Sequence, residues 1–294
     1  MELLQSFPQC ADCLMGLTKQ AADLVAGNDP GLRARAESVA YEMLAHARDQ
    51  NLTSPETANQ ILRNIRHLSG VSDPFARFKE DEMAGAERIF SMLENTPTSD
   101  LKSLVRQAVL GNNLDFFKDP NQTLAEIPDL VQRGVSFFHE DIGKLEGLLA
   151  REPRLILYLS DNAGEIYFDY PLYTYIQEKA GRTVLVVKGG PSLNDLTRSE
   201  LEASQLGARF AEVADTGTDG VGVDWDRVSE AFLHLIDEAD LIISKGMANL
   251  ESIYPRKLSC PVFFLFKAKC QPIQDYLNAP AESFWALWHD AKPS

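Results

Sequence analysis

Leu155-Ile156-Leu157-Tyr158-Leu159-Ser160-Asp161-Asn162-Ala163-Gly164-Glu165 is the stretch on which the reading of the fold turns. Five apolar residues run into a polar turn containing glycine, and an amphipathic stretch at 170–179 follows. A buried strand that turns into a helix predicts one unit of an α/β layer. The pattern recurs downstream at 184–187, 210–213, 241–243 and 262–266, with helical stretches between. Thr197-x-x-Glu200 is a capping box that opens one of those helices. Asp224 is placed to cap another, with an apolar face of Val228, Phe232, Leu235 and Ile236. Such alternation predicts a Rossmann-like, doubly wound and mostly parallel sheet over residues 151–294.

Outward toward the N-terminus, the period changes. Leu14, Leu17, Ala21 and Leu24 recur at helical spacing, 33–49 repeats the pattern, and Ser54-Pro55-Glu56 reads as a helix start. Further helices are expected at 74–95, 99–110 and 124–138, with turns at Ser69-Gly70 and Asn95-Thr96-Pro97. No strand-like alternation interrupts this half, so residues 1–150 are expected to form an all-helical domain.

Composition excludes several classes. The net charge of −15 repels nucleic-acid backbones, so an anionic substrate would need a local cluster of cations. The opening MELLQSFPQC lacks a basic start and an apolar core, and the longest apolar stretch, 261–266, is far too short to span a bilayer. A cytoplasmic protein with reduced cysteines is expected. Cys10 and Cys13 form a CxxC spacing that suits zinc, redox exchange or an incidental structural role. No GxxxxGK[ST], GxGxxG or GxSxG motif and no HExxH spacing occurs.

In open α/β sheets, ligands bind beyond the carboxyl ends of the strands. There the chain offers Asp161 and Asn162, then Lys188-Gly189-Gly190 and Asp195, then Asp215, then Lys245-Gly246, then Lys267. Asp161, Asn162 and Asp195 are hard oxygen donors suited to a divalent ion such as Mg²⁺ or Mn²⁺. Lys188, Lys245 and Lys267 are point charges for phosphate oxygens, and the glycines allow backbone N–H groups close to an anion. That mixture describes a site for a phosphate monoester.

The block Asp161-Asn162-Ala163-Gly164-Glu165-Ile166 with Phe168-Asp169 resembles the signature of the damage-control phosphatases, the domain-of-unknown-function 89 family. The resemblance continues through Lys188-Gly189-Gly190-Pro191, Asn194-Asp195-Leu196-Thr197, Ser244-Lys245-Gly246, Asn249-Leu250-Glu251 and Lys267-Ala268-Lys269. Cys10-x-x-Cys13 and Gly111-Asn112 with Asp115-Phe116 are similar to the short microbial subgroup. It implies a metal (Mg²⁺, Mn²⁺, Co²⁺ or Ni²⁺) on Asp161, Asn162 and Asp195, and a small phosphorylated metabolite as substrate. It also implies that Lys267, Ser244, Lys245 and Asn249 contact the phosphate or substrate. Leu250 stands where many relatives carry an aromatic residue, which bears on substrate identity.

The expected activity is a metal-dependent phosphatase using activated water, with Glu165 or Asp215 as general base. Ala163 stands where an aspartyl-phosphate enzyme would have a second aspartate, which favours water over covalent attack by Asp161. Asn112 and Asp115 are candidates for contacts from the helical half. The rival readings are a metabolite-binding protein without turnover and a methyl or nucleotidyl transferase.

Overall fold

In the computed structural model the predicted β-rich runs become neighbours in one seven-stranded sheet. Residues 10–50, 52–93, 100–113, 122, 125, 129–130 and 134–291 are described. The chain opens with helices α1 (Ala11–Ala26), α2 (Pro30–Gln50), α3 (Ser54–Ser69), α4 (Ala76–Leu93) and α5 (Leu101–Leu110). Strand β1 (Phe137–Glu140) and helix α6 (Ile142–Leu149) follow. Alternation then sets in: β2 (Leu155–Leu159), α7 (Ile166–Gln177), β3 (Arg182–Val187), α8 (Arg198–Ala203), β4 (Val213–Asp215) and α9 (Glu230–Glu238). It closes with β5 (Leu241–Lys245), α10 (Met247–Ile253), β6 (Val262–Ala268), α11 (Gln271–Leu277) and β7 (Ser283–His289).

The strand order is β1-β7-β6-β5-β2-β3-β4. From β6 to β4 every pairing is parallel, β7 runs antiparallel to β6, and β1 is parallel to β7. Both faces are covered, as near-continuous apolar strands require. Ile156, Tyr158, Leu185 and Ile243 meet α4, α5, α6 and α7 on one face. Leu157, Val186, Ile242 and Phe264 meet α9, α10 and α11 on the other. Helices α1 to α3 form a separate cluster that also takes in Phe75, Leu193 and Val221. Among the described residues no helix is long and apolar enough to cross a membrane.

Several local expectations need correction. The first half is not wholly helical, because Phe137 and Phe138, placed at the end of a helix at 124–138, belong to β1. Most of the rest of that stretch, and the turn Asn95-Thr96-Pro97, lie outside the described residues. Three of the four β1 residues are exposed, so no alternation betrayed the strand. β7 was also missed, because its Phe284, Trp285, Leu287 and Trp288 put apolar groups on both faces. The strand expected at 210–213 starts later, and Phe210 instead packs edge-on against Tyr173 at 4.7 Å between ring centroids. In α1, Val25 is buried in place of Leu24, which is 43% exposed. Ser229, not Asp224, caps α9, since the Asp224 carboxylate is engaged by Arg63 at 2.6 Å. The Thr197–Glu200 capping box forms as expected.

Helix α4 is tied to the sheet edge by charge as well as packing. Lys79 is fully buried and pairs with Asp73 and Glu200, each at 2.6 Å. Burial by itself would raise the Glu200 pKa, but the hydrogen bond and charge of Lys79 outweigh it and hold the group below its ordinary range. A depressed carboxylate contributes stability above the ordinary glutamate range and loses it as pH falls through the folded-state value. Lys79→Ala is therefore expected to cost about 3 kcal/mol in urea unfolding near neutral pH. The gap to wild type should narrow as pH is lowered, and an equal gap at all pH values would refute the pairing.

Candidate active site

The parallel sheet grows outward from β2 in both directions, to β3 and β4 on one side and to β5 and β6 on the other. The crevice between the ends of β2 and β5 is thus the switch point where doubly wound folds bind ligands. Asp161 leaves β2 there, and Gly246 leaves β5 opposite it. Gly246 has φ +79°, and a Cβ on it would fall within the Asp161 carboxylate. Only glycine fits both the backbone and the space.

Asp195 arrives on the loop after β3, and a short antiparallel bridge joins it to Asn162. Ala163 N–H donates to the Asn194 carbonyl at 2.8 Å, and Leu196 N–H to the Asp161 carbonyl at 2.8 Å. Backbone bonds on both sides therefore fasten the two loops together. The Asp195 loop makes a tight turn, with Leu193 at φ +46° and its side chain buried in the α1–α3 cluster. A non-glycine residue in that region costs on the order of 1 kcal/mol or more and persists only when packing enforces it.

Three groups of this cluster keep open oxygens. The Asp161 carboxylate accepts no hydrogen bond from the described residues. Asn162 Nδ2 donates to Glu165 Oε1 at 2.8 Å, which leaves its Oδ1 facing away. Because a carboxylate only accepts, this contact sets the orientation of the amide. Asp195 Oδ2 is buried without a hydrogen-bond partner, its nearest cation being Lys188 Nζ at 3.3 Å. Burial raises the pKa of Asp195 to about 6 despite Lys188. Burial also raises Asp161 well above its ordinary value, helped by the charges of Glu165 and Asp195 and opposed by Lys188 and Lys269. Buried carboxylates in mutual repulsion, with oxygens left open, suit a cation.

The remaining predicted groups fall into two sets. Glu165 is fully buried and saturated, accepting from Asn162, from Lys245 Nζ at 2.7 Å and from Asn112 Nδ2. Lys245 spends its other donors on Asp169 Oδ1 at 2.6 Å and the Ala108 carbonyl at 3.0 Å. Burial alone would lower the Lys245 pKa, but Asp169 and Glu165 together raise it. Lys188 donates to the Gly222 carbonyl and reaches Asn249 Oδ1 at 3.4 Å, while Asn249 Nδ2 clamps the carbonyls of Ser160 and Lys245. The Gly189 N–H is likewise occupied, donating to Thr218 O at 2.9 Å. Lys188, Lys245 and Asn249 thus brace the strand ends.

Lys267 and Ser244 are held less completely. Lys267 Nζ donates to Asn113 Oδ1 at 2.7 Å and pairs with Glu282, which is half exposed. Ser244 Oγ is buried with no partner. Asp215 stands apart, its carboxylate taken by Arg198 Nε at 3.0 Å and by the Gly217 N–H at 3.0 Å. Asp115 and Phe116 lie outside the described residues. Cys10 is buried and Cys13 exposed, with neither in a disulfide. Among the described residues, no group of three or more His, Cys, Asp or Glu side chains could hold a metal by itself.

Sequence reasoning missed Glu82 on α4, whose burial pushes its pKa up to about 8. It also missed Tyr158, whose hydroxyl donates to Asp169 at 2.8 Å. Asp169 was quoted only as part of a motif. Glu82 sits in an ordinary charged helical run, and only the fold reveals what it faces.

A parallel α/β sheet carrying an acid–amide–acid cluster at its switch point defines the class of protein. The sequence model of the damage-control phosphatase ARMT1-like domain matches residues 6–283. The chain is 28% identical over 274 residues to a damage-control phosphatase of Archaeoglobus fulgidus, covering 90% of this chain and 93% of that one. A damage-control phosphatase of Pyrococcus horikoshii is 29% identical over 275 residues, 92% of this chain and 94% of that protein. The crystal structure of a domain-of-unknown-function 89 family protein from Pyrococcus horikoshii superimposes with a TM-score of 0.84. That superposition covers 95% of this chain and 97% of the other at 28% identity. The chain belongs to the damage-control phosphatase ARMT1-like family.

Gly246→Ala tests the geometry of the crevice. The added methyl must displace Asp161 and strain the backbone, so a stability loss of at least about 1 kcal/mol is expected. Thermal unfolding that matches wild type would show that the two strand ends are not in contact.

Proposed function

We propose that this chain is a metal-dependent phosphatase acting on phosphate monoesters of small metabolites, sugar phosphates or damaged phosphometabolites among them. The observation that carries the reading is the set of three oxygen donors at the switch point that accept no well-formed internal hydrogen bond, Asp195 having only Lys188 at 3.3 Å beside it. Asp161, Asn162 Oδ1 and Asp195 would hold the ion, and Mg²⁺, Mn²⁺, Co²⁺ and Ni²⁺ all accept such donors. When bound, a divalent ion supplies charge neutralisation and polarisation of a phosphoryl oxygen. The names of the related proteins support the phosphatase class.

The chain's own residues divide the remaining work. Glu165, saturated and buried, orients Asn162 and is poorly placed to receive a proton from water. Asp215 stands apart from the cluster, paired with Arg198 and the Gly217 N–H. The open oxygen of Asp161 is the acceptor best placed for the proton of an attacking water. Lys267 and the unpartnered hydroxyl of Ser244 are the phosphate contacts, because the half-exposed Glu282 can give way to a substrate anion at the buried Lys267. Lys188 offsets the charge of Asp195 and lowers the cost of bringing two carboxylates together.

Phosphate release from p-nitrophenyl phosphate and a panel of sugar phosphates, with each metal and with EDTA, tests the reading. Release is expected only with metal. Asp161→Ala and Asp195→Ala should lower it by more than the roughly 10–100-fold that follows loss of an outer partner. Release from folded protein that ignores both EDTA and Asp161→Ala would overturn the proposal. Tight uptake of a phosphorylated metabolite without turnover would favour a binding protein instead.

A further inference from the structure

Glu82 is 1% exposed, yet it lies on a helix whose neighbouring turns are packed by Met83, Ala86, Ile89 and Phe90 against the sheet core. Its Oε1 accepts from the Gly164 N–H at 2.7 Å, and its Oε2 accepts from Asn194 Nδ2 at 2.8 Å. Gly164 follows Asn162 by two positions, and Asn194 directly precedes Asp195. The same two loops are already joined by the bond from the Ala163 N–H to the Asn194 carbonyl. The three bonds close a ring: Glu82 to Gly164, Ala163 to Asn194, and Asn194 back to Glu82. A Cβ on Gly164 would come within 2.8 Å of Glu82 Cγ, so the close approach of Glu82 to the turn requires glycine there.

A carboxylate buried this deeply costs more in lost hydration than a neutral hydrogen-bonded group would. Apolar contacts already hold α4 on the sheet. What the two hydrogen bonds to the Glu82 carboxyl group add is a fixed separation and twist of two loops, one of which contains the strained Leu193.

We infer that Glu82 is a positioning residue that sets the distance between the Asp161–Asn162 turn and Asp195, and with it the affinity of the cluster for a divalent ion. Lys79, one turn earlier on the same helix, acts in parallel. Through Glu200 it pins the start of α8, three residues beyond Asp195. Helix α4 therefore grips both sides of the cluster without contributing a ligand. The inference rests on the metal reading of Asp161, Asn162 and Asp195.

The test uses the full chain and Mn²⁺ itself. Calorimetric titration measures Mn²⁺ affinity, and thermal melting in EDTA measures the stability of the metal-free fold. Glu82→Gln keeps the shape but sets an amide donor against either Gly164 or Asn194. It is expected to weaken Mn²⁺ binding by about 10–100-fold, as loss of an outer partner does. Asn194→Ala removes one bond of the ring from the other side and should weaken binding in the same direction. The exchanged pair Glu82→Gln with Asn194→Asp restores donor and acceptor in reversed order, and should recover most of the affinity. A merely structural role would lower the metal-free melting temperature and leave affinity alone. Wild-type affinity in folded Glu82→Gln, or no recovery in the exchanged pair, would overturn the role of Glu82. Wild-type protein that takes up no Mn²⁺ would instead remove the metal reading, and the inference with it.

Discussion

Asp161 and Asp195 repel each other, and much of the architecture around the switch point holds them together against that repulsion. Neither carboxylate is neutralised by a well-aligned internal hydrogen bond. Lys188 stands 3.3 Å from Asp195, and Lys269 acts on Asp161 by charge. The backbone bears the rest, through the bridge between Asn162 and Asp195 and the bonds that flank it. Gly246 completes the arrangement by leaving room for the Asp161 carboxylate.

Behind this cluster lies a second layer built around one buried lysine and two carboxylates. Lys245, Glu165, Asp169, Tyr158 and Asn112 hydrogen-bond to one another in the core between the sheet and α5 and α7, with only Asp169 Oδ2 of the two carboxylates left without a partner. A lysine buried this way is stable only because two carboxylates accompany it, and the carboxylates are tolerable only because of the lysine. Lys245 thus meets its carboxylates directly, whereas Asp161 and Asp195 have Lys188 and Lys269 to offset their mutual repulsion. That difference is what distinguishes a site from a core, and it lies at the topological crevice.

The parallel strands β2, β3, β5 and β6 were legible because each is a short apolar run buried on both faces, while the half-buried β4 was placed too early. Asp161, Asn162 and Asp195 could be read as a set because they follow β2 and β3. The direction in which the lysines point was not legible. Lys188, Lys245 and Lys267 all follow or end strands, but the alternation of a strand sends Lys245 into the core with Ile243 while Ser244 faces the other side. One residue of register separates a lysine that braces the core from a hydroxyl left without a partner. Glu82 was invisible for a different reason: a glutamate in a charged helical run has no local mark of its burial. β1 was missed because it is a short, exposed edge strand, and β7 because apolar groups on both its faces hide the period that identifies a strand.

The ring through Glu82 also bears on how separable the two halves of the chain are. The sequence changes character near residue 150, and a cut there looks natural on the page. Such a cut would pass between the loops that carry the cluster and the helix that spans them. It would also strip β1 from β7 and Asn112 from Glu165. The α/β half is therefore not a cassette that could be grafted elsewhere with its chemistry intact. Its inheritance is joint with the helices before it, and substitutions in α4 and in the two loops are free to vary only together.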